Sequence, residues 1–389
     1  MYRNTYVEIN EDILENNIKD IVSKYPYKYY FGVVKGNAYG HGMHIVNSII
    51  NGGINYIAVA TLEEALDVRK YNKDIPILCF GYIDCKYLDI LEKNNITLTI
   101  TSYNHFNEFI NYNCKVKIHI KLNTGMNRLG IDDKNKLKEI IDICKEKNIN
   151  LEGIYTHYAT SGVLDKYWDL QTKKFEELTS LIDLNEIPIV HGYDSLALAK
   201  HQKKSYYNGV RLGIVMYGYS SSVKEPVGFK KTVYELKKTI KLQGTKVSIT
   251  KFSNNLKLNK AFNVYSEVIN ISKINPGDTV GYHAKYIAKE KETIATISIG
   301  YADGITSNFK YVKINNKKYS IVAFSMDYIM VKVDDKVKIH DIVTIIDNDI
   351  TMNSIAINSG INISNALVNI SSRIPRVHIY KDKKEEIKY

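Results

Sequence analysis

Lys35 is the residue of this chain whose setting most invites covalent chemistry. It closes the apolar run FGVV (31–34) and is followed by GNAYGHG, small residues that leave room for a ligand beside an amine. Burial disfavours charge, so an amine among apolar groups loses ammonium character, and a neutral amine can form a Schiff base with a carbonyl compound. Position alone leaves a second reading open, a strand-end lysine that packs its stem and sends its charge to solvent. Other reactive groups fall at comparable places, each just past an apolar run. Lys121 and Arg128 lie in KLNTGMNRLG, His157 in YTHYAT, His191, Asp194 and Ser195 in VHGYDSLALAK, and Arg211, Gly213 and Ile214 in VRLGIVMYG. Gathered on one rim, these groups suit an anionic, phosphate-bearing cofactor held by backbone N–H groups.

The elements that would gather them alternate along the chain. Strand candidates are YYFGVV before Lys35, IAVA (57–60), IPILCF (75–80), ITLTI (96–100), VKIHIKL (116–122), GIYT (153–156), IPIV (187–190) and VRLGIVMY (210–217). Between them, segments such as TLEEALDVRKYN and NKLKEIIDICKEKN carry apolar residues three and four apart, the helical period. Eight strands alternating with helices predict an α/β fold, an N-terminal (β/α)8 TIM-type barrel over residues 1–235, with functional side chains at the strand ends. An open doubly wound sheet is the alternative, but no G-x-G-x-x-G follows the first strand. After about residue 230 the segments become short and β-branched, with turns at NPGD, YADG and DNDI, so a C-terminal all-β domain is expected over 236–389. Two domains also suit 389 residues, more than one core usually organises.

Composition excludes several classes. The net charge of +11 invites a nucleic-acid reading, but only six of 53 basic residues are arginine and the lysines interleave with acids. That is a solvated surface rather than a basic stripe, and no nucleic-acid partner is expected. In so lysine-rich a chain, each arginine is a candidate for work needing a planar, always-charged fork. No apolar run reaches the ~18 residues of a membrane helix, and the opening lacks a signal-peptide pattern, so a cytoplasmic protein without membrane contact is expected. The four cysteines show neither metal-ligand spacing nor disulfide density. His41 and His44 have no third ligand beside them in sequence, so no metal site is expected.

VVKGNAYGHG, KLNTGMNRLG, GIYTHYAT, VHGYDS, VRLGIVMYG, VGYHAKY, ISIGYADG, SMDYIMV and SSRIPRV, in this order and rough spacing, resemble the alanine racemases, fold-type III pyridoxal-phosphate enzymes. The resemblance covers nearly all of the chain, and VKGNAYGHG followed much later by GYADG is its specific part. It implies a homodimer with active sites shared between subunits, an amino-acid substrate, and pyridoxal 5'-phosphate carried on Lys35. Tyr39, Ser195, Tyr301 and the backbone of Gly213 and Ile214 would bind the phosphate. Arg211 would face the pyridine nitrogen with His191 behind it, and His157 would lie beside the ring. Tyr282 would be a second base, given to the partner's barrel. Arg128 and the Met326 amide would hold the substrate carboxylate, and Lys121 matches an often carbamylated lysine that steadies the arginine.

The chemistry agrees with that assignment. Racemisation takes an α-proton from one face and returns one to the other, so two bases must flank a planar carbanion. A phenol at its usual pKa of ~10 is a weak base at neutral pH, so a tyrosine in this role needs positive neighbours, which Arg211 and His157 are suited to supply. The implied activity is L/D-alanine interconversion, supplying D-alanine for peptidoglycan. Three positions depart from the family pattern: Asn123 for aspartate, Asp194 for asparagine, and Ser372 for a pocket-closing tyrosine. Asn123 is expected to loosen its loop, Asp194 is unfavourable there unless protonated, paired or turned away, and Ser372 is expected to widen the pocket and admit serine as well as alanine. Tyr193 and Tyr328 are the candidates to refill that space. An insertion near 243–260 has no functional reading. The rival from another class is a non-catalytic pyridoxal-phosphate carrier, against which the second domain counts. A decarboxylase of the same fold would need a late cysteine, and none follows Cys144.

Overall fold

The computed structural model describes residues 2–162, 164–219, 232–233, 236, 247–248 and 256–387. Eight parallel strands close into a barrel, in the order Tyr29–Val33, Tyr56–Val59, Ile77–Cys79, Ile96–Ile100, Ile118–Lys121, Leu151–Tyr155, Ile189–His191 and Gly209–Leu212. The last returns beside the first, with Arg211 opposite Phe31. Tyr56–Val59 and Ile96–Ile100 are buried along their whole length, because barrel strands face side chains within and helices without. That is why they read as continuous apolar runs. Phe31, Tyr56, Ala58, Leu78 and Ile189 fill the interior. The helices follow as expected: Leu62–Tyr71 starts at Thr61, whose hydroxyl accepts from Glu64 N at 3.3 Å, and Lys134–Glu146 starts at Asp133.

The eighth strand is shorter than the apolar run VRLGIVMY predicts. It stops at Leu212, and residues 213–219 turn back through bonds from Met216 N to Gly213 O and Tyr219 N to Ile214 O. Val215, Met216 and Tyr217 are buried in that turn, and an apolar run does not distinguish a buried turn from a buried strand.

The second unit is a mostly antiparallel nine-stranded sheet. Its long strand Phe262–Ile274 pairs on one side with Ile342–Ile346 and on the other with Tyr6–Asn10. The N-terminal strand therefore belongs to the β domain's sheet, although the expected boundary places it with the barrel. It also runs parallel to Arg376–Tyr380, so both ends of the chain tie the two domains together. Two helices, Met352–Ser359 and Ile363–Val368, interrupt the strand pattern near the C-terminus and were not expected. Most of the 243–260 insertion lies outside the described residues; Val247–Ser248 within it pairs with Leu164–Asp165. The four cysteines are free, and Cys79, Cys85 and Cys144 are buried.

Candidate active site

Lys35 leads a left-handed turn. From Gly36 to Gly40 every φ is positive, +52° to +81°, including Asn37, Ala38 and Tyr39. L-residues adopt this conformation at about 1–2 kcal/mol each, so the surroundings must hold it. Three contacts do so. The Glu64 carboxylate accepts from Gly36 N at 2.6 Å and from Ala60 N at 2.8 Å. His41 Nδ1 lies 3.0 Å from Ala38 O. Gly40 sits against the Leu367 carbonyl, which a Cβ would meet at 2.6 Å, and its own carbonyl accepts from Arg376 Nε at 3.1 Å. The result aims Lys35 into a cavity of about 410 Å³ at the barrel's C-terminal rim.

Lys35, Tyr39, Lys121, Arg128, His157, Ser195, Arg211, Gly213 and Ile214 all line this cavity, together with Asp194 and Ser364. Lys35 is open to the cavity, yet desolvation by the cavity walls, with Arg128 and Arg211 nearby, lowers its pKa. Lys121 is buried, and desolvation followed by Arg128, Arg211 and Lys35 brings it down to about 8. Among the described residues neither Lys121 nor Arg128 has a carboxylate within ion-pair distance. The cavity is therefore cationic and short of counter-ions, a site ready for anions.

Arg211 is buried, and its donors go to neutral acceptors: His191 Nδ1 at 2.8 Å, Thr156 O at 2.9 Å, Gly192 O at 2.8 Å and His157 Nδ1 at 3.2 Å. Its charge is left for a ligand. Accepting at Nδ1 fixes the His191 tautomer, so His191 Nε2–H donates to His119 Nδ1 at 3.2 Å, and His119 Nε2–H donates to Glu152 at 3.2 Å. Burial, with Arg211 and His119 beside it, holds His191 well below its ordinary pKa. Burial alone would raise Glu152, but bonds and charge from His119, with Tyr56 and Lys117, bring it down to about 2. The His119 ring fits only because residue 153 is glycine; a Cβ there would meet it at 2.5 Å. Tyr155 stacks on His191, ring centres 4.7 Å apart.

His157 corrects one expectation. Burial, with Arg211, Lys121 and Arg128 outweighing Asp194, brings its pKa down to about 4, so it is neutral and lends no charge to a phenol. The cations here are Arg211, Arg128 and the lysines. Asp194 is fully partnered: Oδ1 accepts from Leu196 N and Ala197 N, both at 3.0 Å, and Oδ2 from Ser161 at 2.9 Å. Asn123 likewise accepts from Asn127 N at 2.9 Å and Gly125 N at 3.3 Å, so its loop keeps a backbone anchor. Ser195 Oγ accepts from Gly213 N at 2.9 Å, and a Cβ at Gly213 would meet the Tyr39 hydroxyl at 3.0 Å. Hydroxyls and backbone thus converge at one end of the cavity.

Tyr282, Tyr301 and Met326 do not line the cavity of their own chain; they are 67%, 47% and 51% exposed on the β domain. Tyr301 and Met326 belong to one surface, joined by bonds from Tyr301 N to Ser325 O and Ala302 N to Met326 O. Ser372 is exposed and outside the cavity's walls, so the wall of this chain gives the wider-pocket expectation no support. Neither refilling candidate enters it: Tyr193 is buried with its hydroxyl on Gln202 O, and Tyr328 is exposed. Sequence reasoning missed Glu64, His119 and Glu152. Glu64 was visible only as the end of a T-x-x-E helix start, and His119 as a lone polar residue in an apolar strand.

The family models for "Alanine racemase, N-terminal domain" and "Alanine racemase, C-terminal domain" match residues 9–221 and 261–378. The chain belongs to the alanine racemase family. The alanine racemase of Halalkalibacterium halodurans is 31% identical over 400 residues, spanning 97% of this chain and 95% of its own. Alanine racemase 1 of Bacillus subtilis is 29% identical, over 97% and 94%. The crystal structure of alanine racemase from Bacillus anthracis with bound L-Ala-P is 30% identical, with a TM-score of 0.85, covering 100% of this chain and 98% of that one. The protein is an amino-acid racemase with the TIM-barrel and β-domain architecture of that family.

Proposed function

We propose that this racemase interconverts L- and D-alanine using pyridoxal 5'-phosphate carried by Lys35. The observation that carries the reading is Lys35 itself, an amine of lowered pKa aimed by a strained turn into a cavity of unpaired cations. The residues present fit the cofactor: Tyr39, Ser195 and the backbone of Gly213 and Ile214 offer donors to a phosphate where no Cβ intrudes. When bound, the cofactor supplies an electron sink that acidifies the substrate's Cα–H. Arg211 would face the ring nitrogen and, keeping its own proton, would limit how strong that sink becomes. The chain of His191, His119 and Glu152 holds it in that orientation.

Lys35 Nζ moves the α-proton on one face of the substrate. The partner subunit's Tyr282 moves it on the other through its phenolic oxygen, as two-sided exchange requires. A tyrosine and a methionine this exposed, with Tyr301 exposed as well, support a homodimer that shares its sites. Arg128 faces the cavity without an ion pair among the described residues and would hold the substrate carboxylate, aided by the Met326 amide of the partner subunit. The D-alanine formed would serve peptidoglycan synthesis in the cytoplasm.

Incubating purified enzyme and cofactor with L-alanine yields equal amounts of the two enantiomers by chiral chromatography. Borohydride reduction then fixes the cofactor to the Lys35 peptide. An adduct on another lysine, or L-alanine left unchanged, overturns the reading.

Lys121 carries a second prediction. An amine of pKa about 8 is about half neutral at pH 8, against ~0.4% for an ordinary lysine. The neutral amine adds CO2 to give a carbamate and a proton, turning a repelled neighbour of Arg128 into an anionic partner. Enzyme equilibrated with 13C-bicarbonate at pH 8 shows a carbamate resonance that Lys121→Met lacks. Because only the neutral amine reacts, the resonance weakens as pH falls below the amine's pKa. The same resonance in Lys121→Met contradicts the assignment.

A further inference from the structure

His44 has no ligand partner near it in sequence, but the fold supplies two. Glu11 opens the helix Glu11–Lys24, His44 lies in the turn Met43–Ile45, and His378 sits within the strand Arg376–Tyr380. Each offers a ligand atom within 4.8 Å of the others, the one such group among the described residues. Both imidazoles aim at one point: His44 Nδ1 is 2.8 Å and His378 Nδ1 2.7 Å from the same Glu11 oxygen. Glu385 lies 3.3 Å from the other ring nitrogen of His44.

Glu11 and His378 are almost wholly buried while His44 is partly open, so the three donors converge in a pocket with one side towards solvent. His378 Nε2 is buried with no hydrogen-bond partner among the described residues, so nothing else ties down that ring. A divalent ion held by the three donors would replace the two imidazole contacts that converge on one Glu11 oxygen, and it takes each imidazole in its neutral form.

We infer that Glu11, His44 and His378 form a binding site for a divalent cation of the zinc type, unrelated to the racemisation chemistry. Two imidazole nitrogens and one carboxylate oxygen suit zinc, with a fourth place open to water beside the partly exposed His44. Glu385 then fills the usual outer role, a carboxylate accepting from the second N–H of a ligating histidine. Donors around tetrahedral zinc stand ~3.3 Å apart, so the cluster must open by about half an ångström, which side-chain rotation provides. The ligands come from the barrel's first helix, the turn after Lys35 and a C-terminal strand, so a bound ion would pin the β domain to the barrel.

The test uses chelator-treated holoenzyme. Zinc titrated against a chromophoric chelator should bind at one ion per chain and raise Tm by a few degrees. Cobalt should give the intense visible bands of a four-coordinate ion. His44→Gln should lose the stoichiometric ion and the Tm shift yet keep its racemase activity, and Glu385→Gln, on the surface, should weaken zinc by about tenfold. Wild type without saturable one-to-one binding, or His44→Gln binding zinc as wild type does, overturns the site.

Discussion

Tyr282→Phe lowers racemisation by about 10²–10⁴-fold, the usual contribution of one positioned acid–base group, while the cofactor still attaches to Lys35. The change removes one hydroxyl from a side chain that is 67% exposed in its own subunit, so the fold loses little. Only Tyr282 acting outside its own barrel reconciles that exposure with a catalytic role, because it does not line its own chain's cavity. The check compares initial rates from each enantiomer by chiral chromatography with the absorbance of bound cofactor. A variant that racemises at the wild-type rate removes Tyr282 from the mechanism.

Arg376→Leu destabilises the protein by about 3–5 kcal/mol and impairs attachment of the cofactor at Lys35. The guanidinium is buried and feeds four carbonyls: Gly40 at 3.1 Å, Ser371 at 2.6 Å, Ile374 at 2.7 Å and Ile370 at 2.9 Å. Ser371 O keeps its bond from Ile374 N at 3.2 Å, but leucine removes the guanidinium from the other three carbonyls, and one of them, Gly40, ends the left-handed turn that aims Lys35. Lysine at this position rescues little, because an ammonium cannot fan across four acceptors as the planar fork does. Urea unfolding measures the stability change, and a loss under 1 kcal/mol would show that the turn is held by its other contacts.

Arg376 also shows where sequence reading reaches and where it stops. Its type marked it, in a lysine-rich chain, as a candidate for work needing a planar fork, but the Gly40 carbonyl lies 336 positions away. The barrel was legible because strands buried on both faces read as apolar runs, and a closed barrel collects its strand ends on one rim. Lys35, Lys121, Arg128, His157, Ser195 and Arg211 follow from that rule. Tyr6–Asn10 was not legible as part of the second sheet, since its partners at 262–265 and 376–379 are set by long-range pairing. The left-handed turn was hidden as well: GNAYG permits it, but His41 and the distant Glu64, Leu367 and Arg376 enforce it. His119 and Glu152 look like ordinary strand residues until their ring and carboxylate meet inside the barrel.

Mixing Lys35→Ala and Tyr282→Phe subunits tests the shared two-base site most directly. Neither homodimer has an intact site, but a heterodimer pairs the Lys35 of one chain with the Tyr282 of the other, restoring one site of two. Random exchange makes about half the dimers mixed, so the account predicts recovery to about a quarter of wild-type activity. Subunit exchange verified by mass, with activity no higher than that of the separate variants, would contradict it.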